Sequence, residues 1–152
     1  MATKNFIIFS YGTNIAKQQM LSRSNGAEFL GYGTLNDFTM RFRGFRDHAV
    51  ATLERQKGCV LPVSIFSLTP EGRFGLNNFE PFPYPYIKIK TTAFLDGKRI
   101  KGYVYVLKQK LLPGIPNKKY MDALRAAYFE ADFDSSIIDQ ALEEVKQTTK
   151  EE

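Results

Sequence analysis

A short polar loop at 11–14, Tyr-Gly-Thr-Asn, lies between an apolar run at 6–9 and a helix-compatible segment at 15–23. The apolar run is typical of a buried strand. Gly12 permits a tight turn or a close approach to a ligand, and Asn14 is expected to cap the following helix. The N–H groups of such a junction favour an anion, either a carboxylate or a phosphate. An ordinary connection between a strand and a helix is the alternative interpretation.

A second candidate for chemistry is Glu80, which lies in the segment 69–86 among aromatic residues and prolines. Prolines at alternate positions (81, 83 and 85) predict a rigid, extended loop. Loss of water beside Phe79 and Phe82 would raise the pKa of the Glu80 carboxyl toward the range that a proton shuttle needs. Taken alone, these residues are also typical of an exposed loop glutamate without a chemical role.

Strands dominate the elements that must position these residues. Alternation and apolar runs predict strands at 6–11, 34–43, 48–55 and 60–67. A hairpin is expected from 86–94 and 99–108, joined by the turn Asp96-Gly97.

Two helices are predicted at the end of the chain. The first begins at Pro116-Asn117, and the second is capped by Asp134 or Ser135. Each has an apolar stripe with helical spacing: residues 120, 121, 124, 127 and 128 in the first, and 137, 138, 141, 142 and 145 in the second. Strands with helices mainly at the ends predict an α+β fold.

Several short motifs occur in order along the chain. They are Tyr11-Gly12-Thr13-Asn14, Met20-Leu21-Ser22-Arg23, Gly31-Tyr32-Gly33-Thr34-Leu35 with Phe38, Ala51-Thr52-Leu53, Leu76-Asn77-Asn78-Phe79-Glu80-Pro81 with Tyr86, Val104-Tyr105-Val106, and Pro116 to Tyr120. Together they resemble the gamma-glutamylcyclotransferase-like (AIG2-like) family over about residues 6 to 145. The resemblance implies a small mixed β-barrel with a short helix after the first strand and two C-terminal helices.

The resemblance also implies a reaction, the intramolecular aminolysis of a γ-glutamyl amide or γ-glutamyl amino acid to 5-oxoproline and a free amine. Glu80 would be the general acid and base. The N–H groups of the 11–14 loop would bind the α-carboxylate or the developing oxyanion. No metal or cofactor is implied. The residues expected to bind substrate are Tyr11, Gly12, Thr13, Asn14, Tyr86 and Tyr120.

Two departures from the family pattern leave a second interpretation open. Asn77 replaces the aspartate of the Leu-Asp-x-x-Glu-Gly motif, and Pro81 replaces its glycine. Proline fixes φ near −65° and lacks an N–H, so the segment after Glu80 cannot adopt a conformation that only glycine allows. A non-catalytic module of the same fold that binds a small anionic metabolite or a nucleotide is the alternative.

Composition sets general bounds. The 152 residues predict one domain, with an ordered core at about 6–145 and a frayed tail at 146–152. No run of 18 apolar residues occurs, so we expect no membrane partner. A single cysteine, Cys59, and the lack of a signal-peptide pattern favour the cytoplasm. Oligomeric state is left open.

The charge pattern raises nucleic-acid binding as a less favoured alternative. Residues 1–129 carry 19 basic and 8 acidic side chains, whereas residues 130–152 carry 2 basic and 8 acidic ones. Arg41, Arg43 and Arg46 alternate with Phe42 and Phe45, a mixture suited to phosphate contacts and base stacking. A strand with phenylalanine inside and arginine outside explains the same alternation, and no known nucleic-acid-binding module is visible.

Overall fold

The computed structural model describes residues 6–79 and 84–150. Its elements follow the chain in the order β1, α1, β2, β3, α2, β4, β5, α3 and α4, with a 3₁₀ turn at Thr13–Ile15 before α1. The strands are β1 (Phe6–Ser10), β2 (Glu28–Arg43), β3 (Val50–Leu68), β4 (Tyr86–Leu95) and β5 (Lys98–Leu107). The helices are α1 (Lys17–Arg23), α2 (Pro70–Phe79), α3 (Lys118–Ala131) and α4 (Ser136–Lys150).

The five strands close into a barrel in the order β1-β3-β2-β4-β5, which confirms the predicted mixed α+β barrel. The β1–β5 pair that closes it is parallel, and the other pairs are antiparallel. Gly33 is required where β2 meets β4, because a Cβ there would collide with the carbonyl of Phe94. Leu35, Val63, Ile65 and Val104 fill the main core inside the sheet.

The predicted strands at 48–55 and 60–67 form one long strand, β3, rather than two. It pairs with β2 along nearly its whole length, and β2 begins at Glu28 rather than at residue 34. The register shifts between the pairs Asn36–Val60 and Phe38–Arg55, so β3 carries extra residues there. The N–H of Gly58 donates to Asp37 Oδ1 (2.8 Å) across this bulge. The residues of the bulge are mostly polar and exposed, and such residues are typical of a loop, so the sequence pattern predicted two strands instead of one.

The predicted extended loop at 69–86 is wrong for its first part, because residues 70–79 form helix α2. Thr69 caps this helix, since its Oγ1 accepts a hydrogen bond from the N–H of Gly72 (2.9 Å). Two glycines and two asparagines lower the helix propensity of the segment, so its sequence does not predict a helix. Gly72 is needed for packing, because a Cβ there would lie 2.6 Å from the carbonyl of Asn25.

The hairpin and the C-terminal helices agree with the sequence. Asp96 and Gly97 both have positive φ (51° and 77°), as a tight hairpin turn demands. Asn117 caps α3 by accepting from the N–H of Tyr120 (2.8 Å), and Asp134 accepts from the N–H of Ser136 (3.0 Å) at the start of α4. The predicted stripes face the core. In the described parts of the chain, no helix is long and apolar enough to cross a membrane.

Candidate functional site

A pocket of about 700 Å³ opens at one rim of the barrel, in the size range of small-molecule sites. Its walls come from the end of β1, the 3₁₀ turn, the start of β3 and the first turns of α3. All six residues predicted to bind substrate line it: Tyr11, Gly12, Thr13, Asn14, Tyr86 and Tyr120. Residues far apart in sequence therefore meet in one cavity.

Hydrogen bonds hold two of the tyrosines in place. The buried Tyr11 hydroxyl donates to the carbonyl of Tyr105 (2.5 Å), which ties the end of β1 to β5. The Tyr120 hydroxyl accepts from the N–H of Ala51 (2.9 Å), which ties α3 to β3. The Ala51 N–H occupies one acceptor site on this oxygen, and a phenolic hydroxyl also carries a proton that it can donate.

The loop after β1 forms a 3₁₀ turn rather than running directly into α1. The N–H of Ile15 donates to the carbonyl of Gly12 (3.0 Å), so the N–H of Thr13 precedes the first bond of the turn. A Cβ on Gly12 would lie 3.8 Å from the Tyr120 hydroxyl oxygen. The bare backbone at Gly12 therefore forms part of the pocket wall opposite Tyr120.

The prediction that Asn14 caps the following helix is wrong. Ala16 occupies the N-cap position of α1 and makes no side-chain cap bond. Asn14 belongs to the 3₁₀ turn, and its Oδ1 accepts from Arg23 Nη1 (3.0 Å). The intervening turn shifts the start of α1 to Lys17, which leaves the asparagine amide to meet the far end of the helix.

The pocket is also lined by polar and charged residues to which the sequence assigned no binding role, among them Gln19, Arg23, Asn117 and Lys119. Gln19 Nε2 donates to Thr13 Oγ1 (3.2 Å), so α1 supports the loop as well as lining the cavity. Arg23 is the last residue of the Met20-Leu21-Ser22-Arg23 motif, and that motif is the sequence signal that could have identified it. Helical spacing places Gln19 and Arg23, four residues apart, on one face.

In the described part of the chain, the charged side chains that line the pocket are basic. Arg23 and Lys119 line it, and no carboxylate does so among the residues that the structure describes. Arg23 is half-buried beside the neutral amide of Asn14, whereas Lys119 is exposed at the mouth. Such a cavity favours an anionic group on a ligand, since a carboxylate would gain charge-assisted hydrogen bonds there.

Glu80, the predicted general acid and base, lies outside the described residues, as does Pro81. The described chain reaches Phe79 at the end of α2 and continues at Tyr84. The Tyr84 hydroxyl accepts from the N–H of Phe45 (2.8 Å), and β4 starts two residues later at the pocket residue Tyr86.

Two of the arginines considered for nucleic-acid contacts pair with carboxylates. Arg43 binds both oxygens of Glu144 (2.8 Å each) and also Glu54 (2.8 Å). Arg41 lies 3.7 Å from Glu54 and 3.9 Å from Glu144. Phe42 between them is fully buried. For residues 41–43 the alternation therefore arises from a strand with phenylalanine inside and arginine outside, whereas Phe45 is exposed beyond the end of β2.

The sequence profile of the family described as "Gamma-glutamyl cyclotransferase, AIG2-like" matches residues 8–122. The chain belongs to this family. The matched stretch runs from within β1 through the first turn of α3 and includes β2 to β5 and every residue predicted for the site. No curated protein matches the sequence significantly.

Solved structures share the fold at low sequence identity. An uncharacterized protein from Homo sapiens has a TM-score of 0.78 at 18% identity over 91% of this chain and 87% of its own. A structure titled gamma-glutamyl cyclotransferase also has a TM-score of 0.78, at 16% identity over 97% of this chain and 99% of its own. YkqA from Bacillus subtilis reaches 0.77 at 14% identity, over 95% of this chain and 55% of its own.

Proposed function

We propose that this protein is a cyclotransferase that converts a γ-glutamyl amide or γ-glutamyl amino acid to 5-oxoproline and a free amine. The observation that carries the proposal is the single pocket that collects Tyr11, Gly12, Thr13, Asn14, Tyr86 and Tyr120. Membership of the gamma-glutamyl cyclotransferase family supports it. No cofactor enters the proposed reaction.

The reaction is an attack of the substrate's α-amino nitrogen on its own γ-carbonyl carbon. A new C–N bond closes the five-membered ring, and the bond from the γ-carbon to the leaving nitrogen breaks. An ammonium is not a nucleophile, so a carboxylate first removes a proton from the α-amino group and later returns it to the departing amine. We assign both steps to Glu80 on the motif it completes in the sequence.

The pocket supplies binding and orientation in this scheme. We assign the α-carboxylate to the Arg23 side of the cavity, where the guanidinium and the Asn14 amide lie 3.0 Å apart. The N–H groups of the loop 11–14 would receive the charge that develops on the γ-carbonyl oxygen. Because nucleophile and carbonyl belong to one molecule, holding the glutamyl chain in a bent conformer supplies much of the acceleration.

The test is a 5-oxoproline assay on the purified protein with γ-glutamyl amino acids, γ-glutamyl amines and glutathione. Glu80→Gln keeps size and hydrogen bonding but cannot cycle a proton, so kcat should fall by at least about 100-fold. Glu71→Gln is the matched control, because Glu71 is exposed in the first turn of α2. Equal turnover in the Glu80 variant and the control would overturn the assignment of Glu80.

A binding module of the same fold is the second candidate, favoured by Asn77 and Pro81. In that case a γ-glutamyl compound would bind saturably, as measured by calorimetry, without releasing 5-oxoproline. Turnover that depends on Glu80 would eliminate this candidate.

A further inference from the structure

We propose that an apolar surface beside the pocket mouth receives the leaving amine, and that preferred substrates are γ-glutamyl derivatives of amines with a large apolar side chain. The inference rests on the proposed function and specifies its substrate. The surface, here called the apolar rim, consists of Phe45, Leu112 and Ile115. Their side chains are 73%, 73% and 45% exposed, which is high for large apolar residues.

Backbone pairing brings the three residues of the apolar rim together. The N–H of Gly44 donates to the carbonyl of Leu112 (2.8 Å), and the N–H of Asp47 donates to the carbonyl of Ile115 (3.3 Å). The loop after β2 thus runs alongside the segment that precedes α3. The three exposed apolar residues therefore lie on two neighbouring segments rather than on distant loops.

The apolar rim is continuous with the pocket. Asn117 lines the pocket, and its Nδ2 donates to the carbonyl of Asp47 (3.1 Å) in the same loop as Phe45. Ile115 precedes Asn117 by two residues, a separation of at most about 7 Å along the chain. Val50 and Ala51, which follow the loop, also line the pocket. A group that leaves the cavity on this side reaches the apolar rim directly.

The chemistry of the two surfaces divides the substrate between them. The glutamyl part carries a carboxylate and an amine, which suit the polar interior near Thr13 and Arg23. The leaving amine is the part that must extend outward, and an apolar side chain on it would shield the apolar rim from water. A small leaving group such as glycine would not reach this surface.

A matched control lies elsewhere on the molecule. Phe129 on α3 is 89% exposed, is absent from the pocket wall and has the acidic neighbours Glu130 and Asp132 in sequence. Phe129→Ser removes more exposed aromatic surface than Phe45→Ser does, without touching the apolar rim. It therefore separates an effect of the site from a general effect of surface polarity.

The kinetic experiment compares γ-glutamyl-phenylalanine with γ-glutamyl-glycine in the 5-oxoproline assay. We expect kcat/KM to favour the phenylalanine compound by about 10-fold or more, the scale of a modest apolar contact. The Phe45→Ser/Leu112→Ser variant should lose this preference mainly through a higher KM for the phenylalanine compound. Its rate on γ-glutamyl-glycine, and both rates of Phe129→Ser, should stay within about twofold of the parent protein.

A second measurement detects binding without turnover. In ¹H–¹⁵N spectra of the ¹⁵N-labelled Glu80→Gln variant, γ-glutamyl-phenylalanine should shift the amide signals of Phe45, Leu112 and Ile115, and γ-glutamyl-glycine should shift only those of pocket residues. Turnover without side-chain preference, or pocket shifts without shifts at the apolar rim, overturns this inference alone. If no γ-glutamyl compound is either turned over or bound, the proposed function and this inference are both overturned.

Discussion

The arginines on β2 and the cations of the pocket have contrasting surroundings. Arg41 and Arg43 share two carboxylates, Glu54 from β3 and Glu144 from α4. In the pocket, Arg23 Nη1 donates to the amide oxygen of Asn14, and no described lining residue is acidic. The β2 cluster thus carries its counter-ions within the fold, whereas the described lining of the pocket places a cation beside amide and phenol groups.

The difference explains two features of the charge pattern. Glu144 belongs to the acidic segment 130–152, and α4 packs against β2. Part of the negative charge of this segment therefore neutralises part of the excess positive charge of residues 1–129. The Arg43 side chain is only 12% exposed, and a charge that is this buried requires a partner. The comparison predicts that substitutions in the cluster change stability, and that substitutions in the pocket change activity.

Arg23→Gln should give the larger effect on activity. Loss of a charge-assisted contact to the substrate carboxylate lowers kcat/KM by on the order of 10- to 100-fold. The midpoint of urea unfolding should move little, because the Asn14 amide can accept from the new side chain. The measurement pairs initial rates of 5-oxoproline formation with urea titrations of the same preparation.

Arg46→Gln is the control for Arg23→Gln, because it removes an exposed arginine outside the pocket wall. Equal losses of activity in the two variants would mean that the overall positive charge, and not the pocket cation, attracts the substrate.

Arg43→Gln should give the opposite result. It leaves Glu144 and Glu54 with Arg41 as their remaining cation in the cluster, so we expect the free energy of unfolding to fall by about 2 kcal/mol. The value of kcat/KM should change less than about twofold, because Arg43 lies outside the pocket wall. A large loss of activity in a variant that remains folded would erase the distinction between the two regions.

Local signals were sufficient for most of the fold. The apolar run at 6–9, the Asp96-Gly97 turn and the stripes of α3 and α4 each contain their own pattern, and these elements occur as predicted. Helix α2 was missed because its stability comes from tertiary packing: Leu76 is fully buried, and Gly72 permits close contact with the segment after α1. The residues that neighbour α2 in sequence carry no sign of this contact, because its partner segment near Asn25 is distant along the chain.

In the candidate site, too, some features were predictable from sequence motifs and others depend on tertiary contacts. The ordered motifs were enough to predict the six residues that meet in the pocket, because a recurring pattern carries information about distant neighbours. The partner of Asn14 was not predictable from capping rules, since the rules consider only the next helix turn and Arg23 lies nine residues away. Lys119 and Asn117 were missed because a lysine and an asparagine at a helix start ordinarily indicate capping and solubility alone.

The smallest expected effect concerns pH. The hydrogen bond from Arg43 lowers the pKa of the Glu144 carboxyl below its ordinary value of 4.5, outweighing a partial burial that acts in the other direction. A carboxyl whose pKa is lower in the folded protein than in the unfolded chain stabilises the fold fully above the unfolded value, and the stabilisation is lost as the pH falls through the folded value. The difference in unfolding free energy between the parent protein and Glu144→Gln should therefore be constant well above the ordinary pKa of a glutamate and shrink as the pH falls below it. Urea titrations of both proteins at several pH values measure it, and a difference that stays unchanged down to pH 3 would mean that the Arg43–Glu144 pair contributes no charge-dependent stability.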